Sequence, residues 1–215
     1  MSEKILIIGK NSKIAKEFIK KVSKSTTIIK PSKTEWDMNN IDFNLKKINQ
    51  IKKMDKILLL QSVISSTPIL KRKSLDVLSQ ISINLLSVIK VCEIALRFNK
   101  NVKIIILGSE SGIKGSFDII YALTKAAIHK YVEERKIKYS KQQLLCIAPS
   151  TVIDSKMTLK RRDGYNVTKS IKNNPKKRGL LSKEISNLIY SLFYEQTNYL
   201  SNIVIRLDGG KFARM

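Results

Sequence analysis

Apolar residues along this chain alternate between short continuous runs and longer stretches with a period near 3.6. KILIIG at 4–9 is an apolar run ended by Gly9, and KNSKIAKEFIKKV follows with Ile14, Ala15, Phe18, Ile19 and Val22 on helical spacing. This predicts a strand, a tight turn and an amphipathic helix. TTIIK at 26–30 reads as a second strand, and PSKTEWDMNNID follows where a fuller fold would carry another helix. After a helix over about 41–51, KILLLQS at 56–62 is continuously apolar, as expected of a strand covered on both faces. Residues 74–98 predict a long helix containing Asn84. NVKIIILGSESG at 101–112 is another buried strand, ending at Ser109, and a helix over 117–139 contains IIYALTKAAIHKY. QLLCIAPSTVIDSKM at 143–157 is a strand running into a loop broken by Pro149. A helix at 182–196 and a last strand at 202–210 complete the pattern. Strand and helix alternate throughout, which predicts one α/β domain over 1–215 with a doubly wound parallel sheet and helices on both faces. In that architecture functional groups gather at the C-terminal strand ends, where Gly9, Gln61, Ser109 and Pro149 fall.

Composition changes this picture little. The longest apolar runs are far shorter than the ~20 residues of a membrane span, and MSEKILIIG is a strand and turn rather than a signal core. The expectation is a soluble cytoplasmic protein with no membrane partner. Cys92 and Cys146 offer neither a metal-ligand spacing nor a disulfide framework and read as buried thiols. The net charge of +24 would ordinarily suggest nucleic acid. Only 8 of the 41 basic residues are Arg, however, and the lysines are scattered over almost every segment. Lysine is a solvated point charge, whereas base readers lean on Arg, so a generally basic surface is the simpler reading and no specific nucleic-acid partner is expected. The densest basic run is LKRRDGYNVTKSIKNNPKKR at 159–178.

Candidate chemistry centres on Tyr121 and Lys125, four residues apart on one helix face. An ammonium beside a phenol favours the phenolate and lowers its pKa, making Tyr121 a plausible proton donor to a carbonyl or acceptor from an alcohol. The turn after the first strand is a second candidate, because backbone N–H groups there can hold a pyrophosphate. Of the three glycines usual in such turns only Gly9 is present, with Lys13 and Ala15 at the later two places. An acid at the end of the second strand would bind a ribose 2′-OH. Lys30, Ser32 and Lys33 stand there instead, which favours a 2′-phosphate or reflects only the Lys-rich composition.

With its elements in this order the chain resembles the short-chain dehydrogenase/reductase family over nearly its whole length, with a pattern most like the single-domain 3-oxoacyl-ACP reductases. The family's Tyr-x-x-x-Lys appears as Tyr121 and Lys125, its serine as Ser109, and its helix asparagine as Asn84. The loop after the fifth strand is represented by Pro149 and Ser150, then Ser155 and Met157; Asp37 and Met38 match the pair beside the adenine; VIRLDGG matches the last strand and turn. The departures are the lost glycines, LQSVISS where the family has Asn-Asn-Ala-Gly, and Ser150 after the loop proline. The resemblance implies a Rossmann-like fold of about seven strands and a carbonyl–alcohol oxidoreductase. Tyr121 would be general acid/base, Lys125 would lower its pKa and bond the nicotinamide ribose, Ser109 would bond the substrate oxygen, and Asn84 would hold a relay water. The cofactor, NADP(H) in preference to NAD(H), would meet Gly9, Asn11, Ser12, Lys13, Ile14, Lys30, Asp37, Met38, Gln61, Tyr121, Lys125, Pro149, Val152 and Ser155. His129 reads as an ordinary residue of the helix surface or of a subunit interface. The resemblance also implies a substrate-covering loop at 158–181, an anionic or carrier-linked substrate such as an acyl thioester or nucleotide sugar, and pairing of the helices at 74–98 and 117–139 into dimers or tetramers. The altered turn leaves a second reading open, a catalytically impaired scaffold of the same fold.

Overall fold

The computed structural model describes residues 2–159, 164–195 and 199–211. Its strands are β1 (Lys4–Ile8), β2 (Thr27–Ile29), β3 (Lys56–Leu59), β4 (Lys103–Leu107), β5 (Gln143–Pro149) and β6 (Ile203–Leu207). They form one sheet in the order β2-β1-β3-β4-β5-β6 with every pairing parallel. The sheet therefore has six strands among the described residues, against an expected seven. From β1 the chain moves outward to β2 and then returns past β1 to β3. Strand order reverses at the β1–β3 boundary, and in such sheets a crevice opens there beyond the C-terminal strand ends.

The apolar runs make this sheet two-sided. Leu6, Ile57, Ile104 and Leu144 lie side by side in register and face one core, with Val91, Ala95, Ile128 and Val132 of the covering helices. Their neighbours Ile5, Leu58, Ile105 and Leu145 face the other core, with Phe18, Ile185 and Ile189. Because successive side chains alternate between faces, a strand covered on both sides must be apolar at every position.

On the first face lie α2 (Leu45–Lys52), α4 (Ser87–Phe98) and α6 (Ile119–Glu134); on the second lie α1 (Lys13–Ile19) and α9 (Ser182–Tyr194). The helix expected over 41–51 begins later because Asn44 caps it, its side chain accepting from the Lys47 N–H. The long helix expected over 74–98 is continuous but not uniform: α3 (Ser74–Ile81) passes through a π turn (82–86) into α4. The helix expected over 117–139 is shorter, starting after Asp118 and ending at Glu134. PSKTEWDMNNID forms no helix. It is pinned instead by Trp36, Met38 and Phe43, with the Trp36 and Phe43 rings 6.1 Å apart. Three short helices remain: α5 (Ser111–Lys114), α7 (Lys156–Leu159) and α8 (Gly164–Lys172). The end of α7 and all of α8 fall in the basic region at 158–181, of which Lys160, Arg161 and Arg162 lie outside the described residues.

Candidate active site

The crevice beyond the strand ends is a cleft of about 770 Å³, within the range of small-molecule and cofactor sites. One end is formed by the β1–α1 turn. Gly9 has φ +92°, and a Cβ there would lie 2.8 Å from the Leu60 carbonyl carbon and 2.9 Å from the Gln61 nitrogen. Only glycine lets β1 and β3 leave the sheet so close together. Asn11, Ser12, Lys13 and Ile14 line the cleft beside it. Ser12 caps α1, its hydroxyl accepting from the Ala15 N–H at 3.1 Å. Lys13 reaches across to the loop after β5, where its Nζ pairs with Asp154 Oδ2 at 3.0 Å. Asp154 Oδ1 in turn accepts from both the N–H and the hydroxyl of Ser182 at the start of α9. These bonds hold the Asp154 carboxyl below its usual pKa despite partial burial, which acts the other way.

Asp37, Met38 and Gln61 also line this end, as do Ser32 and Lys33. Lys30 does not. It borders a separate, smaller hollow with Glu35 and Lys47. Lys10, which sequence reasoning passed over, joins Lys33 in the main cleft. Both amide atoms of Gln61 are shielded from solvent and make no hydrogen bond among the described residues. A polar group that is buried without a partner is costly, so this amide suits a polar ligand group.

The other end is built around the start of α6. Asp118 caps the helix through Oδ1, which accepts from the Tyr121 N–H at 3.2 Å. Its Oδ2 accepts from the Ser65 N–H at 2.8 Å and from Gln80 Nε2 at 2.6 Å, and Arg72 Nη1 lies 3.5 Å from Oδ1. This buried network ties the segment after β3 to the helix that carries Tyr121. Nothing local in the sequence marks Arg72 or Gln80 as partners of Asp118.

Tyr121 and Lys125 are 7% and 2% exposed, and Lys125 Nζ lies 5.7 Å from the Tyr121 ring centre. Lys125 Nζ donates to the Leu107 carbonyl at 2.7 Å, and burial brings its pKa down to about 8. Ser109 is 8% exposed, with Oγ accepting from the Ser111 N–H at 3.1 Å. One lone pair is thereby occupied, while the O–H remains able to donate to a group in the cleft. Ser109, Tyr121, Lys125, Pro149, Val152 and Ser155 all line the same cleft as Gly9.

Two further residues, besides Lys30, are placed differently from expectation. His129 is buried, not on the helix surface: it is 6% exposed beneath the β4–α5 turn, its Nε2 accepting from the Ser109 N–H at 3.4 Å. A Cβ on Gly108 would lie 2.5 Å from that Nε2, so the imidazole fits only because Gly108 has no side chain. Burial, with Lys125 and Arg206 nearby, lowers the His129 pKa to about 4 and keeps the ring neutral. Asn84 sits in the π turn outside the cleft lining, and its amide clamps the segment after β3: Oδ1 accepts from the Val63 N–H and Nδ2 donates to the Val63 carbonyl, both at 2.8 Å. The Asn84 side chain is thus occupied with holding that segment.

No protein-family model matches the sequence, and no curated protein matches it. Solved structures do match. A short chain dehydrogenase family protein from Francisella tularensis superposes with a TM-score of 0.84 at 20% identity, covering 100% of both chains. The fold is that of the short-chain dehydrogenases. A short chain dehydrogenase from Burkholderia cenocepacia in complex with NADP has a TM-score of 0.79 at 13% identity over 97% of both chains. One from Leptospira borgpetersenii with bound NAD+ has 0.78 at 18% identity, over 98% of this chain and 93% of that one. In this short-chain dehydrogenase fold, no helix among the described residues is long and apolar enough to cross a membrane.

Proposed function

We propose that the chain is a member of the short-chain dehydrogenase/reductase family and an NAD(P)(H)-dependent oxidoreductase interconverting a carbonyl and a secondary alcohol. The observation that carries this reading is the convergence of Ser109, Tyr121 and Lys125 on one wall of a cleft whose far end is the Gly9 turn. A nicotinamide nucleotide supplies or accepts the hydride when bound. The Gly9 turn and the unpartnered Gln61 amide suit its polar groups.

The remaining chemistry belongs to the protein. The Tyr121 hydroxyl passes its proton to the substrate oxygen during reduction and recovers it during oxidation. Lys125 keeps an ammonium close to that hydroxyl and donates towards the cofactor ribose. Ser109 donates its O–H to the substrate oxygen, steadying the charge that develops there. Asn84 acts through the segment after β3 that its amide clamps.

Lys10 and Lys33 beside Ser32 favour a 2′-phosphate and hence NADP(H); Lys30, facing another hollow, is set aside. The described part of the 158–181 region is suited to covering the substrate; its Lys169 lines the cleft, as does Lys156 just ahead of it, which favours an anionic substrate. Ile119 and Leu123 of α6, with Leu75 and Leu78 of α3, are exposed apolar residues suited to pairing two copies of a cytoplasmic enzyme. The Lys13–Asp154 ion pair across the altered turn favours a second reading, a fold-retaining scaffold with weakened cofactor binding.

Titration with NADPH and NADH, followed by quenching of Trp36 in the cleft wall, separates the two. NADPH should bind more tightly than NADH. Tyr121→Phe should bind it equally and lose about 10²–10⁴-fold in turnover of a carbonyl substrate. Absence of binding by either nucleotide would favour the scaffold.

A further inference from the structure

β4 leaves the sheet through Leu107, Gly108 and Ser109, and its backbone changes partners there. The N–H groups of Gly108 and Glu110 donate to the Ile147 and Pro149 carbonyls of β5, at 2.7 and 2.9 Å. On the other flank β3 ends at Leu59, level with Ile106, so no strand pairs with Leu107 or Ser109 on that side. A buried backbone group must then find its partner elsewhere. Both partners come from α6. Lys125 Nζ donates to the Leu107 carbonyl at 2.7 Å, and His129 Nε2 accepts from the Ser109 N–H at 3.4 Å.

Tyr121, Lys125 and His129 follow one another at four-residue steps, so they share one face of the helix. The helix that carries the phenol thus grips the backbone on both sides of Gly108. The imidazole is itself confined by neighbouring elements. A Cβ on Gly108 would lie 2.5 Å from Nε2 and 2.6 Å from Cys146 Sγ of β5, and a Cβ on Gly112 would lie 2.8 Å from Cε1. Two glycines therefore make room for the ring, and little space is left for it to turn. Its protonation is settled by what surrounds it. Burial and the two cations nearby, Lys125 of its own helix and Arg206 of β6, keep the ring neutral, while burial keeps the Cys146 thiol protonated. A neutral ring can offer a bare Nε2 with its proton on Nδ1, whereas an imidazolium would set one N–H against another.

We propose that His129 is a positioning residue: by accepting the Ser109 N–H it fixes Ser109, and with it the hydroxyl that donates to the substrate oxygen, relative to the Tyr121 phenol on the same helix. The proposal rests on the oxidoreductase reading, which gives Ser109 and Tyr121 one oxygen to meet. A displacement of about 1 Å in such a pair can cost ~10²-fold in rate. The Gly9 end of the cleft is built by other elements and should not feel the change.

The test compares His129→Leu, which keeps an apolar side chain in the space but removes the acceptor, with His129→Gln, whose Oε1 can stand where Nε2 stands. Amide hydrogen exchange of Ser109, followed by NMR on the free protein, reads the bond directly. Exchange should quicken about tenfold or more in His129→Leu and return towards the wild-type rate in His129→Gln, while the Glu110 amide, bonded to β5, stays unchanged in both. Reduction of 2,3-butanedione, a small activated dicarbonyl, by NADPH reads the consequence. In His129→Leu kcat should fall about 10- to 100-fold with KM for the dicarbonyl and NADPH affinity each within about threefold, and His129→Gln should recover most of kcat. Thermal melting identifies a variant that fails to fold.

Equal Ser109 exchange in wild type and His129→Leu overturns the hydrogen bond. A wild-type kcat in His129→Leu, or equal losses in the Leu and Gln variants, reduces the ring to packing and overturns the positioning role. Should His129→Leu not fold, the ¹⁵N spectrum of the wild-type imidazole decides: Nε2 bare at pH 7 is the expected result, and a proton on Nε2 overturns the proposal. Failure of the wild type to bind NADPH defeats the oxidoreductase reading alone, because amide exchange and the imidazole spectrum are read on the free protein and decide whether His129 holds Ser109 even where the dicarbonyl is not reduced.

Discussion

At the end of the cleft proposed as catalytic, Ser109, Tyr121 and Lys125 are nearly shielded from solvent, and the Ser109 and Lys125 side chains bond to backbone groups, whereas at the end proposed for the nucleotide Lys13 keeps half of its side chain exposed and is held by one ion pair. The catalytic end is over-determined. Asp118 fixes the start of α6, Leu107 fixes Lys125, and the neutral His129 ring fills the space beneath Gly108 and Ser109. At the nucleotide end a lysine stands where the related turn carries glycine, and its charge is met by an acid from another loop. Tight packing leaves few alternatives to a side chain, so the buried end tolerates little change. Solvated polar contacts can be exchanged, so the open end can be rebuilt around a new residue without loss of the fold.

The sharpest way to break this comparison is at Gly112. A Cβ there would meet the backbone of α6 at the Lys125 carbonyl carbon and the Ala126 nitrogen, each at 2.8 Å, and His129 Cε1 at the same distance. Gly112→Ala should cost about 1–3 kcal/mol, lowering Tm by several degrees, and should displace Lys125 enough to abolish turnover. Unchanged Tm and activity would show that α5 and α6 can separate freely, and the catalytic end would then be no tighter than the other.

A smaller effect is expected from pH. The folded pKa of Lys125, about 8, lies below its ordinary value of 10.5 because burial disfavours the charge. Between those values the unfolded chain binds more protons at this residue, so its contribution to stability rises with pH through that window. The ammonium beside Tyr121 is lost over the same range. Carbonyl reduction should therefore fall by up to tenfold per pH unit above about 8 while the fold holds. A pH–rate profile flat to 10 would place the charge elsewhere.

The mildest test concerns the nucleotide end. Asp154→Asn keeps an acceptor for Ser182 but releases Lys13, and NADPH affinity should rise two- to tenfold; Lys13→Met should lower it by a similar factor. Salt should narrow both differences. An increase in affinity for both variants would mean that Lys13 obstructs the phosphates rather than neutralising them.

How much of this was legible depended on distance along the chain. Tyr121 and Lys125 share a helix face whatever lies around them, and Gly9 ends an apolar run, so spacing marked both as candidates and the resemblance gave them their roles; the fold brings them to one cleft. The two-sided sheet followed from apolar residues at every position of β3 and β4. Lys30 lines a different hollow from Ser32 and Lys33, because position after a strand does not fix which way a lysine side chain turns. His129 looked like a surface residue because helical periodicity cannot register the absence of a Cβ on Gly108, in a different element.

The sequence by itself therefore determined the order of strands and helices, the parallel sheet, and the local pairs that a helix or a turn brings together. Tertiary structure alone decided which charges meet. Arg72 with Asp118, Lys13 with Asp154, and Lys211 with Glu110 come from segments far apart in the chain. A lysine or carboxylate can reach partners over several ångströms in many directions, and no periodicity along the chain encodes that choice. Backbone periodicity is a local property, whereas the pairing of buried charges is a property of the closed cleft.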